Sequence, residues 1–440
     1  MRGPLAFDTN AISSNHPYLL LFLQKPSYFS VSKFFPPMSI ALQAPGSIDR
    51  VVAAKRPAKA MAIAGIPVYV YAVSLASLLV ILGIIWDISW HTTIGRDKLL
   101  SPPHLLIYLG AVFGGLFSGI QVLWNTFKAD ASAKSGLVKV WGVFYSSLGA
   151  LFCIWGAIAM LTSAPFDDWW HNTYGLDVEI LSPPHSILAI GMIFLQFGAC
   201  VGVSKYLNRT EGTTPFQAKL LRILYIVAAA SLLTMVCTIL TEFLETRNQR
   251  SGIFYIVAAS SALLFLTALG RALRMRWGIT LIAAGYFMIL TFSNWILQLF
   301  HAEPLLGPIQ NHVTHYQPLQ FPILLFIPAM AMDVVMAKVK ANDWVKSILL
   351  ALVFVVVLAL VQYPFSGFLL ESPAARNWFF GSHSWYYGAN PNWEYRYKFA
   401  PWEIQSWGSL LQQMGIAVLI GIFTARLGLR WGKWLGMVKR

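Results

Sequence analysis

The sequence predicts an all-α fold, a polytopic transmembrane helical bundle of about 10 helices with both termini cytoplasmic. Three observations predict it: an apolar composition, apolar runs of spanning length, and basic residues confined to alternate loops. Of 440 residues, 57% are hydrophobic and 11% charged, with a mean hydropathy of +0.60, whereas soluble domains carry about 25% charged residues. A water-facing globule cannot hide that much apolar surface, so a lipid bilayer is the expected partner. A formal net charge of +14 would suggest nucleic acid if it formed one basic patch. Here the cations alternate by loop, which is a topology signal and argues against a nucleic-acid partner.

The N-terminal tail, residues 1–62, mixes Pro, Ser and Lys with apolar runs too short to span, such as residues 18–23. It lacks the basic start and small-residue cleavage site of a secretory signal. It is expected to be amphipathic or disordered, with Met38 as an alternative start. Apolar runs then predict helices over 66–86, 104–125, 138–162, 184–204, 219–241, 252–271, 277–300, 318–337, 345–368 and 408–428. The first four make up a region at 63–205 and the remaining six a region at 206–440. Arg50, Lys55, Arg56 and Lys59 precede the first run, Lys128, Lys134 and Lys139 follow the second, and Lys205, Arg209, Lys219 and Arg222 follow the fourth. Arg271, Arg274 and Arg276, then Lys338, Lys340 and Lys346, then Arg426, Arg430 and Lys433 continue the alternation. These loops are expected to face the cytoplasm, with the chain in a bacterial inner membrane and the intervening loops outside. The three cysteines, Cys153, Cys200 and Cys237, fall inside apolar runs and suggest neither a disulfide framework nor a thiolate site.

One pattern occurs twice, in the first and second outward loops. The first reads Trp86-Asp87-Ile88-Ser89-Trp90-His91-Thr92-Thr93-Ile94-Gly95-Arg96-Asp97 and closes with Leu100-Ser101-Pro102-Pro103-His104. The second reads Asp167-Asp168-Trp169-Trp170-His171-Asn172-Thr173-Tyr174-Gly175-Leu176-Asp177 and closes with Leu181-Ser182-Pro183-Pro184-His185. Asp87 and His91 stand four apart, as do Asp167 and His171, so a helix continuing through them puts each pair on one face. Ser-Pro-Pro-His reads as a helix start, with Ser as N-cap and Pro in the first turn.

One carboxylate and two imidazoles make a nitrogen/oxygen metal site suited to copper, with iron or zinc less favoured, and three protein ligands leave a coordination position open. A lone Asp or Trp-His at a helix end is more often an anchor or cap. Two copies of ionisable groups at membrane depth are hard to explain that way. Arg96, Asp97 and Asp177 are better explained by a salt bridge or a loop-tightening hydrogen bond.

At these residues the sequence resembles the C subunit of the copper membrane monooxygenases, the particulate methane and ammonia monooxygenase family. That subunit carries Asp-x3-His-x12-His within a local Asp-x-Ser-Trp-His, Arg-Asp and Pro-x-His context. Asp87, Ser89, Trp90, His91, Arg96, Asp97, Pro102 and His104 match it with the same spacing. The family's neighbouring site is Asn-x3-His-x13-His, and Asp167, His171 and His185 keep its longer spacing, with Asp in place of Asn. The likeness covers residues 66–205 and leaves six further helices unmatched. It implies copper, oxygen-dependent hydroxylation of a small apolar substrate, reduction by quinol, and additional subunits as partners. Two other readings stand beside it: a non-catalytic copper storage or delivery protein, and a metal transporter, suggested by the parallel hairpin repeats although the sequence lacks the broken midmembrane helices that line such pathways.

A candidate third cluster, His301, Glu303, His312 and His315, lies between the seventh and eighth runs beside Asn294 and Gln298, as a metal or substrate contact or as hydrated loop residues. Glu242 and Glu245 are either a further ligand or proton carrier, or a solvated helix end beside Arg247 and Arg250. Asp333 is expected to cap the bundle or pair with Lys338. The aromatic stretch 377–407, with His383 inside it, reads as an interfacial belt or as a docking surface for a partner or lipid substrate.

Overall fold

A bilayer offers the backbone no hydrogen-bond partners, so long apolar runs must satisfy their own N–H and C=O groups as helices. A computed structural model describes residues 61–95, 98–175, 182–209, 212–400 and 406–439. The tail expected at 1–62 falls almost wholly outside the described residues, as do Arg96, Asp97 and Asp177. The helices are α1 Val68–Thr93, α2 Pro102–Phe127, α3 Ala131–Ser135, α4 Leu148–Tyr174, α5 Pro183–Leu207, α6 Pro215–Ile239 and α7 Thr241–Leu244. They continue with α8 Gly252–Ser260, α9 Ala262–Leu273, α10 Gly278–Leu297, α11 Phe326–Lys338, α12 Asp343–Glu371 and α13 Trp407–Leu435. Two small antiparallel ladders complete the order, β1 Ala62–Ile63 with β2 Ile66–Pro67, and β3 Val138–Val140 with β4 Phe144–Ser146. With α8 and α9 forming one span, the described residues hold nine helices long and apolar enough to cross a membrane. The chain is an integral membrane protein with an all-α bundle.

Three elements differ from the expected ranges, each for a local reason. First, α1 and α4 run on past 86 and 162 to Thr93 and Tyr174. Nothing in Asp-Ile-Ser-Trp-His breaks a helix, and the stop comes at Gly95 and Gly175, whose φ of +100° and +91° suit only glycine well. Second, α4 begins ten residues later than 138, because 138–146 form the β3–β4 hairpin and Ser147 then caps the helix through the Ala150 amide.

Third, the continuous helix expected over 318–337 is replaced by an extended segment followed by the short helix α11. Pro318 and Pro322 lack the amide protons a helix needs and push their predecessors to extended backbone. Side chains of the neighbouring helices supply the missing partners. Asn294 accepts from the Leu319 amide (3.1 Å) and donates to the Leu319 carbonyl (3.0 Å). The Tyr286 hydroxyl accepts from the Ile323 amide (3.3 Å) and the Gln362 carbonyl from the Leu324 amide (3.0 Å). Irregular backbone inside a bundle survives only with such partners.

Glycines set how closely the first helices pack. A Cβ on Gly83 would lie 2.6 Å from Ile107 Cγ1, and one on Gly110 would lie 2.7 Å from Val80 Cγ2 and 3.1 Å from the Ala76 carbonyl, so α1 and α2 nearly touch. Between α4 and α5 the approach is backbone to backbone: a Cβ on Gly156 would meet the Gly191 carbonyl at 2.6 Å, and one on Gly198 the Cys153 amide at 2.8 Å. Small residues at such seams allow the van der Waals contact that drives association in lipid. α5 runs antiparallel to α1, with Gln196 donating to the Ser77 carbonyl (3.2 Å) and Gly202 against Tyr69. Both motif turns therefore lie at one end of the bundle.

No break in packing separates 63–205 from 206–440: one apolar core runs from Val70 and Ile81 through Tyr225 and Phe254 to Phe354 and Leu429. Apolar surface on α1 and α5 needs α6 to cover it, so the two regions share a single interior. At the motif end, the segments following α10 and α12 fold over the bundle. The Leu305 amide donates to the Ile94 carbonyl (2.9 Å), and the Gln310 and Asn311 amides both donate to the Tyr387 carbonyl (2.8 and 2.9 Å).

The glycine seam yields a test. Gly156→Val is expected to destabilise the detergent-solubilised protein by about 1–3 kcal/mol through overpacking, lowering its thermal midpoint. Gly119→Ala, with nothing within 4 Å of its new methyl, serves as the control. Equal midpoints for the two variants would show that the α4–α5 approach is not set by Gly156.

Candidate metal centre

The helix extensions place the repeated residues as the i, i+4 spacing requires. Asp87 and His91 lie on the last two turns of α1, and Pro102 and Pro103 open α2 so that His104 stands in its first turn. In the second copy Asp167 and His171 end α4, and Ser182 caps α5 by accepting from the His185 amide. The close helix pairs then bring the second histidine of each copy to the carboxylate. His104 Nε2 is 3.3 Å from Asp87 Oδ1, and His185 Nε2 is 3.2 Å from Asp167 Oδ1.

The two copies differ in their first histidine. His171 Nε2 lies 3.5 Å from the same Asp167 oxygen that faces His185, and the three donor atoms all fall within 4.8 Å of one another. Donors held about 2.0–2.1 Å from a tetrahedral metal are about 3.3 Å apart, so this trio has the span of a coordination sphere. In the first copy His91 Nε2 stands back at 3.9 Å, on the other carboxylate oxygen of Asp87, and its side chain is 49% exposed. The second set is closed around a point and the first is open.

A further contact prepares the second set. His171 Nδ1 lies 3.0 Å from the Gly175 carbonyl, which can only accept, so a neutral ring carries its proton on Nδ1. That leaves the Nε2 lone pair directed at Asp167 and His185, as in metal-bound imidazoles whose other ring nitrogen donates to a carbonyl. Gly175 turns its carbonyl back through a φ of +91°. Aromatic side chains pair along the end of α4: the Trp170 ring lies tilted against Tyr174 at 4.6 Å, and Phe166 stacks on Trp169 at 5.9 Å.

Around the first set, the opposite side of α1 is anchored. Ser89 and Thr93 stand about 200° around the helix from Asp87 and His91. Ser89 Oγ donates to the Gln317 carbonyl (2.5 Å) and the Gln317 amide donates to Thr93 Oγ1 (2.7 Å). Trp86 and Trp90 both pack on Tyr316, at 6.4 and 6.2 Å.

The candidate third cluster divides. His301 Nε2 reaches Glu303 Oε1 (3.3 Å) and faces His315 across a single antiparallel bridge, rings 6.0 Å apart. His312 and His315 instead line a cavity of about 430 Å³ together with His383, Trp385 and Arg396. Among the described residues these histidines and Glu303 do not close into a three-donor group as the Asp167 set does. Glu245 is held by Arg247 (3.0 Å), and the Asp333 carboxylate caps α10 by accepting from the Ile279 and Thr280 amides, without Lys338. Arg396 and His383 are the residues that sequence patterning left unconnected to His312 and His315; the shared aromatic stretch 377–407 was their one signal.

Compared with known proteins, the chain matches no family model, no curated protein and no solved structure. The site is therefore read from its own geometry.

If Gly175 holds the His171 tautomer, Gly175→Ala strains that turn and releases the contact. Metal affinity at the second site, measured by competition against a chromophoric chelator, is expected to fall about 10–100-fold, the usual scale for losing an outer-shell partner. Unchanged affinity would remove the Gly175 carbonyl from the account.

Proposed function

We propose that this chain is a membrane copper-binding subunit with two sites, Asp87–His91–His104 and Asp167–His171–His185, and that it takes part in oxygen-dependent hydroxylation of a small apolar substrate reaching it through lipid. The observation that carries the metal reading is the convergence of Asp167, His171 and His185 within 4.8 Å, repeated in outline by the first set. The nitrogen/oxygen donor set fits copper, and iron or zinc less well. The resemblance of both spacings to the copper membrane monooxygenase C subunit supports the oxygenase reading.

In this reading the carboxylates do two things. Asp167 brings two imidazoles to a common point while Asp87 meets His104 with His91 standing back, and each offsets the unfavourable meeting of a cation with the α2 or α5 N-terminus. Copper bound there supplies oxygen activation when reduced. Trp86, Trp90 and Tyr316 beside the first set, and Trp170 and Tyr174 beside the second, offer an apolar approach. By the positive-inside rule the motif end faces away from the cytoplasm, in a bacterial inner membrane, with quinol as reductant and further subunits completing the enzyme.

A second reading, metal transport, gains from one observation: the extended segment before α11 is a broken crossing of the kind that lines transporter sites. Metal flux in proteoliposomes, absent in Asp167→Ala, would favour it.

Metal content and copper EPR of wild type, His91→Ala and His171→Ala test the two sites. Each variant is expected to lose one copper signal while keeping the other. Identical metal and spectra in all three would sink the two-site proposal. Oxygen uptake by membranes that rises on adding short alkanes is expected for the oxygenase; copper binding with no such rise would leave the storage or delivery reading.

A further inference from the structure

Away from both metal-ligand sets, the segments 310–317 and 383–396 enclose a cavity of about 430 Å³, within the size range of small-molecule sites, about 300–1,000 Å³. Its wall is cationic and polar. His312, His315, His383 and Arg396 line it with Trp385 and Gln317, and no carboxylate does among the described residues. The acids nearby in sequence are engaged elsewhere, Glu394 with Lys398 (3.4 Å) and Glu303 with His301 (3.3 Å).

Arg396 is held as a ligand-binding arginine would be. Its guanidinium sits over the Trp385 ring at 4.7 Å and the Tyr397 ring at 5.0 Å. Its buried Nε–H has no hydrogen-bond partner among the described residues. Arg376, the other arginine on Tyr397, differs: its guanidinium is taken up by the Leu369 and Leu370 carbonyls. A planar fork fixed by stacking and left with a donor to spare matches the geometry of a carboxylate or phosphate. Burial, and then the neighbouring His315, hold the His383 imidazole below its usual pKa.

We propose that this cavity is a binding site for a small oxyanion, a carboxylate or a phosphate, held by the Arg396 fork with His312, His315 and His383 as further donors and Trp385 as its apolar wall. The floor of the site is Gln317, which is tied through Ser89 and Thr93 to α1. An occupant therefore rests on the same segment that anchors the first metal-ligand set.

The test uses the full chain in a neutral detergent, treated with EDTA so that anion bound to metal is not read. Inorganic phosphate is titrated by phosphorus NMR line width and acetate by calorimetry, at constant chloride. Saturable binding of one or both is expected, and which of them binds identifies the class. Arg396→Gln is expected to weaken binding about tenfold or more, the scale of losing a charge-assisted hydrogen bond, with Arg396→Lys intermediate. The exposed neighbour variant Lys398→Gln is expected to bind like wild type. His312→Gln gives the same reading as Arg396→Gln should the arginine variant not fold. No saturable binding of either anion by wild type, an Arg396→Gln protein that binds like wild type, or an equal loss in Lys398→Gln would overturn the proposal.

Discussion

The distance between paired helices is the constraint on which the motif depends. A histidine at the start of one helix can meet an aspartate at the end of the previous one only if the two axes approach closely. Lipid tails are as apolar as leucine, so that approach has to come from contact of small residues rather than from expulsion of water. Gly83 stands one turn before Asp87, and Gly156 and Gly191 lie where α4 and α5 meet at backbone distance. The ligand spacings of 3.3 and 3.2 Å between His104 and Asp87, and between His185 and Asp167, follow from those seams. The i, i+4 pairs on α1 and α4 then need only an uninterrupted helix.

The two copies repeat the same Asp and His residues but differ in support. Behind the first set, Ser89 and Thr93 grip the chain at Gln317, and two tryptophans close on Tyr316. In the second copy the residue corresponding to Ser89 is Trp169, 52% exposed. There the Gly175 carbonyl meets His171 across the turn that ends α4. The segment 316–317 thus supports the first set from behind.

Much of this was legible from residue pattern. Apolar runs located nine spans because length and hydropathy are what a bilayer selects, and the Asp/His/Ser-Pro-Pro-His repeat showed which Asp and His residues come together because helix geometry converts spacing into direction. What escaped the pattern was set by partners distant in sequence. Residues 318–325 are apolar enough to look like helix, and only Asn294, Tyr286 and Gln362 show why they can remain extended. The approach of His383 and Arg396 to His312 depends on loop backbone bonds such as those from Gln310 and Asn311 to Tyr387, for which no periodicity exists. The greater openness of the first ligand set was equally hidden, since His91 and His171 occupy the same place in the repeat.

The half-extended crossing also bears on how the protein is made. Segments that are helical throughout can enter the bilayer one at a time, because each carries its own hydrogen bonds. The stretch before α11 cannot, since its amides are answered by Asn294 and Tyr286 on α10, synthesised earlier, and by Gln362 on α12, synthesised later. Left alone in lipid, those amides would each cost several kcal/mol, on the order of a whole unsatisfied polar group. That set of bonds is complete only once α12 is present, so residues 318–338 take their final form together with α12 rather than before it.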